Sequence, residues 1–398
     1  MMVDKLRVRV YNVRFGDAIL ISVPDRAGRK TVMRHILIDV GNVLGGEGGD
    51  TSVFEPVIRD VRKVIGKRPL DLYVMSHEHM DHVKGLLYAD KVLNLKLSIA
   101  YSWLTASAAP DYYERYPNAE AAKRSLTAVY DQIERFLRAS PGAESTLMRA
   151  MRLNNNPRST ADCVEHLRGV ASVKTSYVYR GCELEGTHPF KEAGFEIWAP
   201  EEDTSEYYGR FQPMALGLSA ADGPGAKPAL TTPIPPPGVD AGAFYNLVEA
   251  RRRGYSDNLL AIDRAKNNTS LVFCLNWRGW RLLFPGDAEQ RSWKTIWKRM
   301  GDGDPPFGGD APPPPLHFIK VSHHGSHNGL PMPEMLDAIM PAASPDGRER
   351  YAVVSTCLDC YNNVPDDATL GRLRERCGVQ SVLDLADDVF YFDVEFEG

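Results

Sequence analysis

Three imidazoles and one carboxylate, His77, His79, Asp81 and His82, fall within six residues, directly after the apolar run Leu72-Tyr73-Val74-Met75. The donors are nitrogen and oxygen with no thiolate, which suits zinc, with manganese or iron as alternatives. Residues two apart in an extended stretch point to the same side. His77 and His79 are therefore expected to grip one ion, and Asp81 and His82 to face a second. Two ions roughly 4 Å apart clamp an in-line displacement and lower the pKa of a shared water. The expected chemistry is metal-dependent hydrolysis, with Asp81 and His82 as the catalytic candidates.

Two downstream stretches extend the set. Asp287 follows the apolar run Leu282-Leu283-Phe284 through Pro285-Gly286, where the glycine permits a tight turn. Asp287 is a candidate bridge between two metals, and it also suits a helix N-cap. Lys320-Val321-Ser322-His323-His324-Gly325-Ser326-His327 again places imidazoles at the end of a buried-looking strand. One of His323 and His324 is expected to be the last ligand of the second ion, and spacing alone does not choose between them. Lys320, Ser326 and His327 are expected to support ligands or face substrate.

These residues need strands and turns to position them. Leu6 to Val10 alternates with period two, and Ala18 to Val23 and Met33 to Val40 read as buried strands. Val53 to Ile65 spaces its apolar residues helically. Asp71 to Met75 reads as the strand leading into the motif, and His82 to Ala89 as a helix start. Later strands are expected at 269–275, 280–284, 316–321, 351–355 and 389–395. Helices are expected at 288–300, 333–339 and 368–377. Residues 105–250 read as an insertion. Its helical part is about 111–169, and 212–241 is a Pro/Gly/Ala-rich loop. The whole of 1–398 is expected to be one domain.

The 398 residues are 43% hydrophobic and 25% charged, as in ordinary globular chains, with a net charge of −5. That charge gives no general attraction to polyanions, and Arg251-Arg252-Arg253 and Arg372, Arg374 and Arg376 read as solvated helix faces. Six cysteines are too sparse for a disulfide framework. Cys357-x-x-Cys360 is half a zinc knuckle without its second half. With no apolar signal core and no run near the roughly 20 apolar residues of a membrane span, a cytoplasmic location is expected.

The set H-x-H-x-D-H, then Gly286-Asp287, then His323-His324-Gly325-Ser326 resembles the metallo-β-lactamase superfamily. Within it, the chain is similar to the soluble hydrolase domain of ComEC-type DNA-uptake proteins and their stand-alone relatives. Val13-Arg14-Phe15-Gly16-Asp17-Ala18-Ile19-Leu20-Ile21, Leu37-Ile38-Asp39-Val40-Gly41 and Asn267-Asn268-Thr269-Ser270-Leu271-Val272 carry that resemblance. It covers about 1–100 and 255–398. It implies an α/β fold, an αββα sandwich with the site at the edge of two sheets, and two divalent ions. It also implies that Asp39 orients a histidine N–H, while Asp17 lines the site or makes a turn. Many members carry another histidine that completes the site of His77 and His79. Here only His166 and His188 stand between the motifs, and Asn268, a water or nothing could take that place.

The resemblance implies a phosphodiesterase or nuclease acting on nucleic acid or nucleotides. One alternative is a carboxyl-ester, lactone, thioester or amide hydrolase using the same residues. Another is a metal-stabilised interaction module without turnover.

Overall fold

Most of the apolar runs become strands because both of their faces are covered. The protein is described by a computed structural model over residues 4–43, 51–139, 144–208, 235, 237–238, 240–307, 313–357 and 364–398. It is an α/β structure with two mixed sheets. The strands are β1 (Lys5–Tyr11), β2 (Ile19–Ala27), β3 (Lys30–Ile38), β4 (Leu70–Val74), β5 (Ile99–Thr105), β6 (Ala171–Val178), β7 (Ala193–Ala199), β8 (Val272–Trp277), β9 (Trp280–Phe284), β10 (Phe318–Lys320), β11 (Tyr351–Val354), β12 (Gly378–Ser381) and β13 (Tyr391–Glu397). One sheet has the order β13-β1-β2-β3-β4-β5-β6, and the other β12-β11-β10-β9-β8-β7.

Each sheet mixes antiparallel and parallel pairings. In the first, β3 to β6 run parallel; in the second, β9 to β12 do. Period-two side-chain alternation splits every central strand between two cores. Ile19 and Ile21 face the second sheet, where Phe273, Leu282, Phe284 and Phe318 meet them. Leu20 faces the other way, against helices α1 (Phe54–Ile65) and α2 (Met80–Lys91).

The remaining helices are α3 (Tyr112–Arg115), α4 (Pro117–Ala139), α5 (Thr146–Asn154), α6 (Pro157–Arg168), α7 (Ala241–Asn267), α8 (Gln290–Gly301), α9 (Pro333–Ile339) and α10 (Asp367–Arg374). Trp293 and Ile296 of α8, Leu336 and Ile339 of α9 and Leu373 of α10 cover the outer face of the second sheet. No helix among the described residues is long and apolar enough to cross a membrane.

The stretch 105–250 is not one insertion. It contains β6 and β7, which are the edge strands of the two sheets, and α6, whose Cys163, Val164 and Leu167 join the core beneath α1 and α2. The added unit is the helical group α3, α4, α5 and α7. Tyr130 and Ile133 of α4, Met148 and Met151 of α5, and Tyr255, Leu259 and Ile262 of α7 make its own apolar core. The expected loop at 212–241 lies almost wholly outside the described residues. Cys163, Cys182, Cys274 and Cys377 are free thiols, and Cys357 is disulfide-bonded. Cys360 lies outside the described residues.

Candidate metal centre

The carboxyl ends of parallel strands from both sheets converge at one rim, the usual place for a ligand site in α/β sheets. Asp39 follows β3, the 75–79 turn follows β4, Asp287 follows β9, His323 and His324 follow β10, and Ser355 follows β11. The seam between the sheets is pinned there. The Leu271 N–H donates across it to the Ser76 carbonyl at 2.8 Å, and within the second sheet the Asp287 N–H donates to Ser270 Oγ at 3.1 Å.

Asp81, His82, Asp287 and His324 offer ligand atoms that all lie within 4.8 Å of one another, and all four residues are buried. The choice between the paired histidines is thereby made: His324 joins this group and His323 does not. Both residues sit in the left-handed backbone region, at φ 48° and 54°, which costs an L-residue roughly 1–2 kcal/mol each. That conformation sends the two rings, 6.2 Å apart, into different clusters.

Each imidazole is oriented by an acceptor on its outer nitrogen. His324 Nδ1 lies 3.0 Å from the Ser355 carbonyl, which can only accept, so Nδ1 carries a proton and Nε2 is the nitrogen turned toward the carboxylates. His82 Nδ1 donates to Asp39 Oδ2 at 2.8 Å, leaving Nε2 facing Asp287 at 3.3 Å. His79 Nε2 donates to Asn155 Oδ1 at 2.8 Å. The Asn155 amide is fixed in turn, because its Nδ2 donates to Asp263 Oδ1 and to the Met151 carbonyl. His79 Nδ1 is thus the free nitrogen, 2.9 Å from His77 Nε2, while His77 Nδ1 meets Ser76 Oγ at 3.0 Å. Fixing the tautomer through the outer nitrogen is how proteins prepare histidines for a metal.

The electrostatics fit a cation. Asp81 Oδ1 and Asp287 Oδ1 are buried without a hydrogen-bond partner, a costly state that an ion relieves. Burial opposes charge on His82, yet Asp287, Asp81 and Asp39 hold its pKa well above the imidazole value. Burial likewise opposes charge on His324, and Asp287 and Asp81 raise it. The carboxylates therefore hold protons on these rings, and a metal would replace those protons. His77 is lowered by burial and by its neighbours His82 and His79. His79 is pushed down to about 3 by burial and Lys266. Both are neutral imidazoles, the form that binds metal.

Asp17 and Lys320 form a buried ion pair, and Lys320 Nζ also lies 3.8 Å from Asp287 Oδ1. Lys320 thus balances the acidic side of the centre. Gly41 allows the β3 turn to dock on the motif. A Cβ there would lie 2.0 Å from the Asp81 carbonyl carbon.

Asn268, His188, Ser326 and His166 are engaged elsewhere. Asn268 does not reach the metal residues: its Oδ1 accepts from Ser292 N at 3.0 Å and caps α8. His188 lies among Trp103, Phe190 and Phe195, away from the centre. Ser326 Oγ bonds Asn328 within its own loop, while His327 is exposed, as a residue facing substrate would be. His166 lies on α6 near Asp90 and completes nothing.

The helical unit supplies residues that the motifs did not announce. Asn154 Oδ1 accepts from the Asp81 N–H at 3.1 Å, Asn155 holds His79, and Asp263 holds Asn155. Burial pushes the Asp263 carboxyl up to about 6, with Glu289 and Asp81 adding to the rise. The run Asn154-Asn155-Asn156 after a helical pattern was the available signal.

Compared with known proteins, the chain matches no family model and no curated protein. Fold and geometry alone define its class: a two-sheet α/β protein whose buried His/Asp cluster could hold a metal ion.

Proposed function

We propose that the chain is a metallo-β-lactamase-like hydrolase, most suited to phosphodiesters of nucleic acid or nucleotides. The observation that carries the metal-hydrolase reading is the orientation of four imidazoles. Each holds its outer nitrogen on Ser76, Asn155, Asp39 or Ser355 and turns its inner nitrogen toward Asp81, Asp287 or another histidine. The phosphodiester choice rests on the resemblance of the motifs.

His77 and His79 would hold one divalent ion, and Asp81, His82, Asp287 and His324 a second, with zinc as the first choice and manganese or iron next. When bound, the ions would supply Lewis acidity, lowering the pKa of water and neutralising phosphoryl charge. The protein's own part is positioning and proton handling. Burial opposes ionisation of Asp81, but His82 and His324 hold its pKa below the usual carboxylate value. Asp81 therefore stays ionised near neutral pH and would be able to orient a nucleophilic water and take its proton. Lys320 keeps Asp287 paired on its far side, and Asp39 keeps the His82 ring from turning. Burial of the whole set strengthens each of these interactions.

The test is hydrolysis of bis-nitrophenyl phosphate against carboxyl-ester substrates, with zinc or manganese added. Metal-stimulated phosphodiesterase activity that disappears in both Asp81→Ala and Asp287→Ala is expected. Unchanged activity in both variants sinks the reading, and preferential ester cleavage transfers the site to the carboxyl-ester alternative.

A further inference from the structure

We infer that Asp263, Glu289 and His323, with Asn267, form an additional site for a divalent cation beside the centre of Asp81, His82, Asp287 and His324. The site joins the helical unit to the second sheet. Asp263 and Asn267 lie one turn apart on α7, Glu289 precedes α8, and His323 follows β10. Ligand atoms of Asp263, Glu289 and His323 all lie within 4.8 Å of one another.

Each carboxylate commits one oxygen to the scaffold and leaves the other facing inward. Asp263 Oδ1 accepts from Asn155 and Glu289 Oε2 from Asn328. The inward oxygens, Asp263 Oδ2 and Glu289 Oε1, both meet Asn267 Nδ2, at 3.3 and 2.8 Å. His323 Nε2 lies 3.3 Å from the same nitrogen. Three acceptors thus surround one amide nitrogen that carries only two hydrogens. Among the described residues, no lysine or arginine lies within ion-pair distance of either carboxylate; the partners at that distance are histidines, and the buried Lys266 acts on Asp263 from farther away.

Asn267 supplies the second, independent observation. It is 1% exposed, and its Oδ1 has no hydrogen-bond partner. Rotating the amide by half a turn exchanges Oδ1 for Nδ2 and presents a fourth donor to the cluster. Two carboxylate oxygens, one amide oxygen and one imidazole nitrogen form an oxygen-rich set that suits Mn2+. The inward oxygens of Asp263 and Glu289 then find a positive charge in place of a shared amide hydrogen.

This site does not depend on the hydrolase reading, so it is counted rather than assayed. Mn2+ is titrated into the full chain and free Mn2+ followed by its electron paramagnetic resonance signal. The double variant Asn267→Leu/Glu289→Gln, which leaves the Asp263–Asn155–His79 contacts in place, is expected to lose one equivalent while keeping those that need Asp287 or His77 and His79. An Asp81→Asn/Asp287→Asn protein is expected to keep this equivalent beside the one at His77 and His79, and adding Asn267→Leu is expected to weaken one of the two at least tenfold. Circular dichroism confirms that each variant is folded. Should the double variant not fold, the Asn267→Leu comparison decides. Equal Mn2+ counts in wild type and the double variant, or affinity unchanged by Asn267→Leu, overturns the inference.

Discussion

Asp81 and His324 are 243 positions apart in the chain, yet carboxylate Oδ2 and imidazole Nε2 are 3.2 Å apart. One follows a strand of the first sheet and the other a strand of the second, so the pair bridges the seam between them. Asp287 approaches the same ring at 3.4 Å.

A cation at that seam should stabilise the whole fold. At a hundredfold excess over its Kd, a ligand that binds only the folded state adds about 2.7 kcal/mol. Zinc or manganese should therefore raise Tm, a chelator should reverse the rise, and Asp287→Asn should remove most of it. Identical melting curves for chelated and metal-loaded protein would speak against the centre.

Asn155 never touches the expected metal position, but it fixes the His79 tautomer. Asn155→Ala should weaken the ion at His77 and His79 by about 10–100-fold, the usual effect of losing such a partner. Calorimetric titration of the metal-free protein checks this, and an unchanged affinity would show that the ring is held by packing alone.

Gly41 is a point of backbone contact with the motif. Gly41→Ala should destabilise by about 1–3 kcal/mol or more, because the added Cβ meets backbone, not a flexible side chain. Urea unfolding gives the loss, and weaker metal binding should accompany it as Asp81 is displaced.

Much of this centre was legible before folding, because its parts are local. His77, His79, Asp81 and His82 announce themselves by spacing, and Asp287 and the pair His323-His324 by their place after apolar strands, with the choice within the pair left to the backbone turn. Strand 280–284 and helix 333–339 also stand where their residue patterns put them. Asp263 was not legible. It lies on a helix whose register is set by packing against α4 and α5, which no local pattern encodes. Asn268 was one position off for a similar reason: at the end of α7 it turns toward α8, and Asn267 faces the cluster. The edge strands β6 and β7 were read as insertion because each is only partly covered and lacks a continuous apolar run.

The pH dependence of stability has one contributor outside the candidate metal centre. His35 is 3% exposed, and burial lowers its pKa from 6.5 to about 4. Between those values the unfolded chain binds a proton that the folded protein refuses. Stability is therefore full above pH 6.5 and falls as the pH drops toward 4, by roughly 3 kcal/mol at most. His35→Gln should flatten that part of the profile, read from urea midpoints between pH 4 and 7. Parallel profiles for the two proteins would contradict it.

The reach from Asp81 to His324 also sets a timetable for synthesis. At roughly 5–20 residues per second, the ribosome needs about 12–50 s after Asp81 to deliver His324, and Ser355 follows later still. Throughout that interval the nascent chain displays His77, His79 and His82 without their distant partners. On the proposed reading, tight metal capture would mark a chain made past Ser355, and a product truncated before the last strands would carry the motif and remain unable to close it.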